Sequence, residues 1–417
     1  MNINLISPRF VNDGVASLSL SPLQKEYIEL FENKCRCGEY SLKNRTCECG
    51  HDDFEVIAQK DRYGIGVDTV ICKNCGLIMT NPCLDDKSNN DFYKNDYPYI
   101  YRAETKPSED IFKNSRDEAE QIITFIRKHT GVTEGRVLEI GCADGRNVIA
   151  FAENGYDACG IDLSKEYVDF GKDKGLNLFC EDSETFEKRG LKFDLIILNH
   201  VLEHLIDLDR DLSIIHKMLN PNGRLYVGVP GVKALSLGEY KGDFLLMLQN
   251  AHVFNFTKTT LCRVMKKYGF DAIFCNEGVY GIFEKGDRGV IDDNVYADTI
   301  QYLRRIERIS GDRGKLLFDR VNDIVRNYGK GEVLLYGTAM ELDGFVQNIE
   351  DLSPIRGFFY TDKKTPGQVV EYVQALTNEL KCILVIDATK NDSLLNEFAD
   401  RIKGDEISVY SAYTDLY

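Results

Sequence analysis

The chain is 417 residues long, 43% hydrophobic and 28% charged, which suits two or three domains with full cores. No apolar run reaches the roughly 18 residues of a helical membrane span. Lysine and arginine number 51 against 67 acidic residues, a net charge of −16 that repels a phosphate backbone and argues against nucleic acid as a partner.

The first ten residues lack a basic stretch followed by an apolar one, so no secretion signal is read there and a cytoplasmic setting is expected. An N-terminal helix is expected ahead of a cysteine-rich stretch. The cysteine total, 13, is odd and does not read as a disulfide framework. Cys35 with Cys37 and Cys47 with Cys49 form Cys-x-Cys-Gly pairs, while Cys72 and Cys75 form Cys-x-x-Cys-Gly. Two such knuckles clasp one ion tetrahedrally through four thiolates. Cys47, Cys49, Cys72 and Cys75 are the expected ligands of a structural zinc, because residues 54–57 and 69–71 read as the arms of a hairpin joining the pairs. Cys35 and Cys37 are the alternative partners, or stay free. A catalytic zinc is not expected, since four thiolates leave no open position. The aromatic stretch from Phe92 to Tyr101 reads either as a lid over the functional site or as packing between domains.

The middle of the chain carries the most informative stretch, Val137 to Gly145. Val137 to Ile140 reads as a buried parallel strand, Gly141 and Gly145 bracket a tight turn, and residues 146–153 read as a helix stopped by Gly155. Strand, Gly-rich turn and helix form the first half of a nucleotide-binding βαβ unit. A second strand over residues 158–161 ends in Asp162, about 20 residues past the turn, where an acidic residue reaches ribose hydroxyls. A third over residues 176–180 ends in Glu181 and Asp182, positioned for an adenine amino group. A fourth, residues 193–198, runs into Asn199 and His200, and a fifth, residues 224–229, stops at Pro230. Most cysteines past residue 140, Cys180 among them, are expected as small buried hydrophobes.

Two helices are expected over residues 290–328, lined by Val295, Ile300, Leu303 and Ile306, then by Leu317, Val321, Ile324 and Tyr328, with a break at residues 310–314. A second α/β rhythm follows, with strands near 333–336, 355–360, 382–386 and 407–410 and a turn after Gly337 that holds a single glycine. Dinucleotide binding is not expected at so sparse a turn; an acceptor-supporting or interface role is.

The run Glu139 to Gly145, Gly160 to Asp162, Phe193 with Asp194, Asn199 to His204 and Leu219 to Gly223 resembles the class I S-adenosylmethionine-dependent methyltransferases. The resemblance implies a central seven-stranded Rossmann-like sheet. It implies that Glu139, Gly141, Ala143, Gly145, Asp162, Leu163, Asp182, Ser183, Asn199 and His200 hold the cofactor. With the zinc-binding module in front and a Rossmann-like α/β domain behind, the whole is similar to zinc-containing sugar C-methyltransferases. Domains are therefore expected at 1–104, 105–288 and 289–417.

That second resemblance places the base in the segment Gln249 to Thr257, which keeps one histidine, His252. A hydroxyl acceptor needs a base poised near neutrality, which suits imidazole. His252 precedes Thr257, read as the N-cap of a helix from Lys258, and so belongs to a loop at the sheet's carboxyl edge. His204 with Glu203 is expected to be structural. The implied activity is methyl transfer to a small polar acceptor, an activated sugar or surface-glycan precursor, on oxygen or carbon. RNA methylation and a catalytically silent scaffold are the alternatives.

Overall fold

The structure is a computed structural model that describes residues 2–102, 107–109, 112, 116–337, 342, 346, 349–360, 380–385 and 407–411. Two compact units are present, Met1–Ala234 with Leu245–Tyr302, and Leu235–Phe244 with Leu303–Tyr417.

The first unit is organised by a seven-stranded sheet. Its strands are β1 (Arg136–Ile140), β2 (Asp157–Ile161), β3 (Leu178–Phe179), β4 (Phe193–Asn199), β5 (Leu219–Gly228), β6 (Phe270–Cys275) and β7 (Tyr280–Lys285). They lie in the order β6-β7-β5-β4-β1-β2-β3, parallel from β5 to β3, with β7 antiparallel to both β5 and β6. β4 shows why this sheet is central. Phe193, Leu195, Ile196, Ile197 and Leu198 are fully buried, an apolar run that requires cover on both faces. Val137, Leu195 and Ile197 meet Ala119, Ile122, Ile123 and Ile126 of the helix Arg116–Thr130 on one face. Leu138, Ile196 and Leu198 join the larger core on the other. The expected helix over residues 146–153 is observed with those bounds. β5 starts five residues earlier than the sequence indicates, at Leu219.

A second sheet in this unit has the order Asn2–Ile3, Phe54–Lys60, Gly66–Cys72, Ile78–Thr80, Phe254–Asn255. The expected hairpin is there, with Phe54 opposite Cys72 and Glu55 opposite Ile71. The last strand comes from the far side of β5 and pairs Phe254 with Met79 and Asn255 with Ile78. Phe54, Val56, Leu77 and Met79 consequently share one core with Phe254, Phe256 and Leu261.

The N-terminal helix spans Pro22–Cys37, with a capping box between Ser21 and Gln24 and Gly38 in a left-handed cap. Cys35 and Cys37 close this helix and lie outside the four-cysteine cluster described below.

The break expected at residues 310–314 does not exist, because one helix runs from Tyr296 to Val325. A glycine inside a helix costs only about 1 kcal/mol, and burial of Leu303 and Ile306 before the two glycines and Val321 and Val325 after them outweighs that. In the second unit four parallel strands lie in the order Ile355–Tyr360, Val333–Gly337, Cys382–Val385, Ser408–Ser411. Leu335 and Leu384 are buried on one face, Leu334, Tyr336 and Ile383 on the other, as a doubly covered parallel sheet requires. The turn after Gly337 lies largely outside the described residues. Among the described residues no helix is long and apolar enough to cross a membrane.

Phe254 is fully buried in the strand that joins the N-terminal segment to the rest of its unit. Phe254→Ala is expected to cost about 3–5 kcal/mol of stability, measurable as a lower denaturant midpoint; an unchanged midpoint would show that this strand adds little.

Candidate functional site

The polar residues of the first unit collect at the carboxyl ends of β1, β2 and β4, where open α/β sheets bind ligands. The turn after β1 is built for close approach. Gly141 has φ 75° and Gly145 φ 82°, and Ala143 takes φ 47° between them. A side chain on Gly141 would meet Val201 Cγ2 at 2.6 Å. The turn is pinned from β2, since Ala143 N donates to Asp162 Oδ2 at 2.9 Å while Ser164 N donates to Oδ1 at 2.7 Å. Asp162 therefore shapes the cradle as well as standing where a ribose is expected.

Glu139 is buried at the floor of the turn. Asn147 Nδ2 donates to its Oε1 at 2.6 Å, and its Oε2 has no hydrogen-bond partner among the described residues. Burial pushes its carboxyl up to about 8. A buried carboxyl with one free oxygen, beside a turn with no room for a side chain at Gly141, fits the expected cofactor.

The other cofactor residues line the same edge. Leu163 is exposed, and Asp182 caps the short helix Ser183–Glu187 by accepting from Thr185 N at 2.7 Å. Glu181 is engaged by Arg189. Cys180, expected to be buried, is exposed at the end of this run. At the end of β4, Asn199 donates to Glu118 at 3.1 Å, and His200 adopts φ 55° with its N–H bonded to Gly228 O at 2.8 Å.

Beyond His200 the structure assembles a group that the sequence reading divided. The short helix Leu202–His204 buries Glu203, whose Oε1 faces His200 Nδ1 at 3.4 Å, His204 Nε2 at 3.8 Å and His252 Nε2 at 4.0 Å. Glu203 and His204, expected as structural groups, lie beside His252. The signal was present in the sequence as a glutamate among three histidines, two of them His200 and His204, but nothing local reveals that residue 252 returns to meet them. His252 is in a loop, as expected, yet is only 2% exposed. Burial, with help from His204 and Arg62, pushes it well below its ordinary value, so the imidazole is neutral at pH 7. Its backbone is held by Thr80, whose hydroxyl donates to His252 O at 2.8 Å, and by Val253 N, which donates to Glu203 O at 2.8 Å.

The aromatic stretch abuts this group. Tyr93 Oη lies 2.8 Å from His204 Nδ1, and Tyr97, stacked between Tyr93 and Tyr101, meets the same ring edge-on. Tyr99 instead stacks on Tyr27 of the N-terminal helix. The stretch thus packs partly on the N-terminal helix and partly against His204, all within one unit.

Cys47, Cys49, Cys72 and Cys75 place four sulfurs within 4.8 Å of one another, with Cys47 to Cys75 at 3.5 Å and Cys49 to Cys72 at 3.6 Å. A hydrogen bond from Cys47 holds the Cys72 thiol well below its usual range. Four sulfurs at these spacings, one already favoured as thiolate, fit a tetrahedral ion.

Residues 112–273 match the family model of a methyltransferase domain. A ubiquinone biosynthesis O-methyltransferase of Coxiella burnetii (strain RSA 493 / Nine Mile phase I) is 31% identical over 113 residues, 26% of this chain and 45% of that protein. One from Chelativorans sp. (strain BNC1) is 29% identical over 119 residues, 27% of this chain and 47% of its own. The chain spans about half the length of the curated relatives it matches. Among solved structures, the 1,6-didemethyltoxoflavin-N1-methyltransferase of Burkholderia thailandensis, with S-adenosylhomocysteine bound, is 16% identical, with a TM-score of 0.37 over 51% of this chain and 96% of its own. The chain carries a methyltransferase domain of the class I fold.

The raised Glu139 has a consequence for stability. Its ordinary value is 4.5 and its folded value about 8, so between those pH values the folded chain holds a proton that the unfolded chain has released. Stability contributed by this proton is full below pH 4.5 and lost as pH rises toward 8. The cofactor-free Glu139→Gln variant is expected to lose less thermal midpoint than wild type between pH 5 and pH 8. Parallel pH profiles for the two proteins would rule the assignment out.

Proposed function

We propose that the protein transfers a methyl group from S-adenosylmethionine to a small polar acceptor, an activated sugar or surface-glycan precursor, on oxygen or carbon. The observation that carries this reading is one sheet edge bearing both a nucleoside-type cradle and a buried imidazole. Glu139, Gly141, Ala143, Gly145, Asp162, Leu163, Asp182, Ser183, Asn199 and His200 would hold the cofactor. Bound there, S-adenosylmethionine supplies a methyl group on a good leaving group, which leaves the chain the tasks of alignment and acceptor activation.

His252 takes the acceptor's proton. Its neutral state, fixed backbone and place beside Glu203 and His204 support the role. A polyhydroxylated acceptor suits the surroundings. Asn250 Nδ2, Tyr101 Oη and His252 Nδ1 are buried polar atoms without partners among the described residues, and the rings of Tyr97 and Tyr101 stack nearby. The curated relatives' names favour oxygen as the acceptor atom. The net charge of −16 counts against RNA. The four cysteines hold a structural zinc whose closed shell takes no part in the reaction.

The substrate class is tested by incubating the protein with labelled cofactor and a panel of nucleotide-sugars, with products read by mass spectrometry. Label in no sugar, and in RNA instead, would reverse the assignment.

Asp162→Ala is expected to weaken S-adenosylmethionine binding by about 1.5–3 kcal/mol, the range for hydrogen bonds to a charged group. Unchanged affinity in titration calorimetry would remove Asp162 from the cofactor site. His252→Ala is expected to lower turnover about 100- to 10,000-fold while leaving cofactor affinity nearly constant. A near-normal rate would mean that alignment alone suffices or that a tyrosine takes the proton.

Protein never exposed to chelator is expected to carry about one zinc bound as in other four-thiolate sites. Cys72→Ser should lower both zinc content and stability, because metal binding and folding are coupled in such modules. It should also lower turnover, since the strand after the second knuckle holds the His252 loop. Elemental analysis without zinc would dispose of the metal.

A further inference from the structure

Glu203 is the buried charge that the methyl-transfer reading leaves unexplained. It is 1% exposed, and neither carboxylate oxygen has a hydrogen-bond partner among the described residues. Carboxylates removed from water are ordinarily paired or bound to a metal. Oε1 faces three ring nitrogens, His200 Nδ1 at 3.4 Å, His204 Nε2 at 3.8 Å and His252 Nε2 at 4.0 Å.

The protonation pattern of the two rings sharpens the point. His204 Nδ1 lies 2.9 Å from Ala251 O and 2.8 Å from Tyr93 Oη; with its hydrogen on Nδ1, directed at the carbonyl, Nε2 keeps its lone pair. Arg62 donates to Gln249 Oε1 at 3.3 Å, which turns the Gln249 amide NH2 toward His252 Nε2. His252 Nε2 therefore accepts that amide N–H, a hydrogen bond that an incoming ion would displace. The two Nε2 atoms and the Glu203 carboxyl lie together as three potential ligands.

Their spacing is that of ligands around one ion. Ligands about 2.1 Å from a tetrahedral centre stand about 3.4 Å apart, and the donor atoms of Glu203, His204 and His252 all lie within 4.8 Å of one another. An N–H of a ligating histidine bonded to a backbone carbonyl, as in His204, is the usual way such rings are oriented. The two chain segments that bear the donors are tied by the bond from Val253 N to Glu203 O.

We propose that Glu203, His204 and His252 form a divalent-cation site distinct from the four-cysteine cluster. Two imidazoles and one carboxylate select a borderline ion such as Zn2+, Co2+ or Ni2+ over Mg2+ or Ca2+, which prefer oxygen. The ion takes the Nε2 lone pair of His252, the electron pair that receives the acceptor's proton, so its binding opposes methyl transfer. Binding is independent of the reading given for the reaction; its inhibitory effect rests on that reading.

The test titrates Co2+ into the purified full-length protein after its resident metal has been quantified. One further equivalent is expected, with visible bands of a nitrogen and oxygen site and no thiolate charge-transfer band. Glu203→Gln and His204→Gln should each weaken that uptake by more than about 100-fold. Their folding is verified by S-adenosylmethionine binding, and a third variant, His252→Gln, serves if either fails to fold. No uptake beyond the cysteine cluster, or undiminished uptake in the folded variants, overturns the site. Turnover should fall in proportion to occupancy, and uptake without that fall overturns the inhibitory role while leaving the site standing.

Discussion

The antiparallel pairing of Ile78–Thr80 with Phe254–Asn255 is the contact on which the rest of the site depends. It is short, but it closes a sheet whose other strands carry the cysteine cluster, and it fixes the backbone that bears His252. Thr80 contributes twice, through its hydroxyl to His252 O and through its N–H to Val253 O. The knuckle residues Cys72 and Cys75 lie just before that strand, so an ion held there would anchor, at a distance, the segment that bears the imidazole.

Seen from the central sheet, the site has two halves with different physics. Around β1 and β2 the backbone does the shaping, through left-handed glycines and through amides that Asp162 pulls into place. Past β4 the side chains do it, with buried Glu203 facing three imidazoles that range from half-exposed His200 to buried His252. The first half exposes backbone to close approach, while the second crowds titratable side chains together.

Much of this was legible in the sequence because it is local. Residues 137–145 announce strand, turn and helix by their own periodicity and glycines, and the hairpin arms around residues 54–57 and 69–71 identify which cysteines meet. The failures share a cause, in that each depended on contacts from elsewhere. The helix Tyr296–Val325 runs through two glycines that local reasoning treats as a stop, since buried residues on both sides outweigh the local preference. The proximity of Glu203 and His204 to His252 was not legible, because residues 250 to 255 return to the end of β4 only in the folded chain. Ala251, for instance, fixes the His204 ring with a carbonyl that no sequence motif advertises.

Thr80 and His252 are separated by 172 positions along the chain. Contacts of such long sequence separation form late, because a large loop must close before they return any free energy. The N-terminal hairpin and its cysteines are made first during synthesis, and β1 to β5 follow, yet the imidazole has no fixed place until the segment after β5 finds the waiting edge of the hairpin sheet. The Gly-rich turn after β1 and the placement of His252 thus depend on loops of very different length. A chain interrupted before residue 254 retains every residue of that turn and lacks the strand that fixes the imidazole.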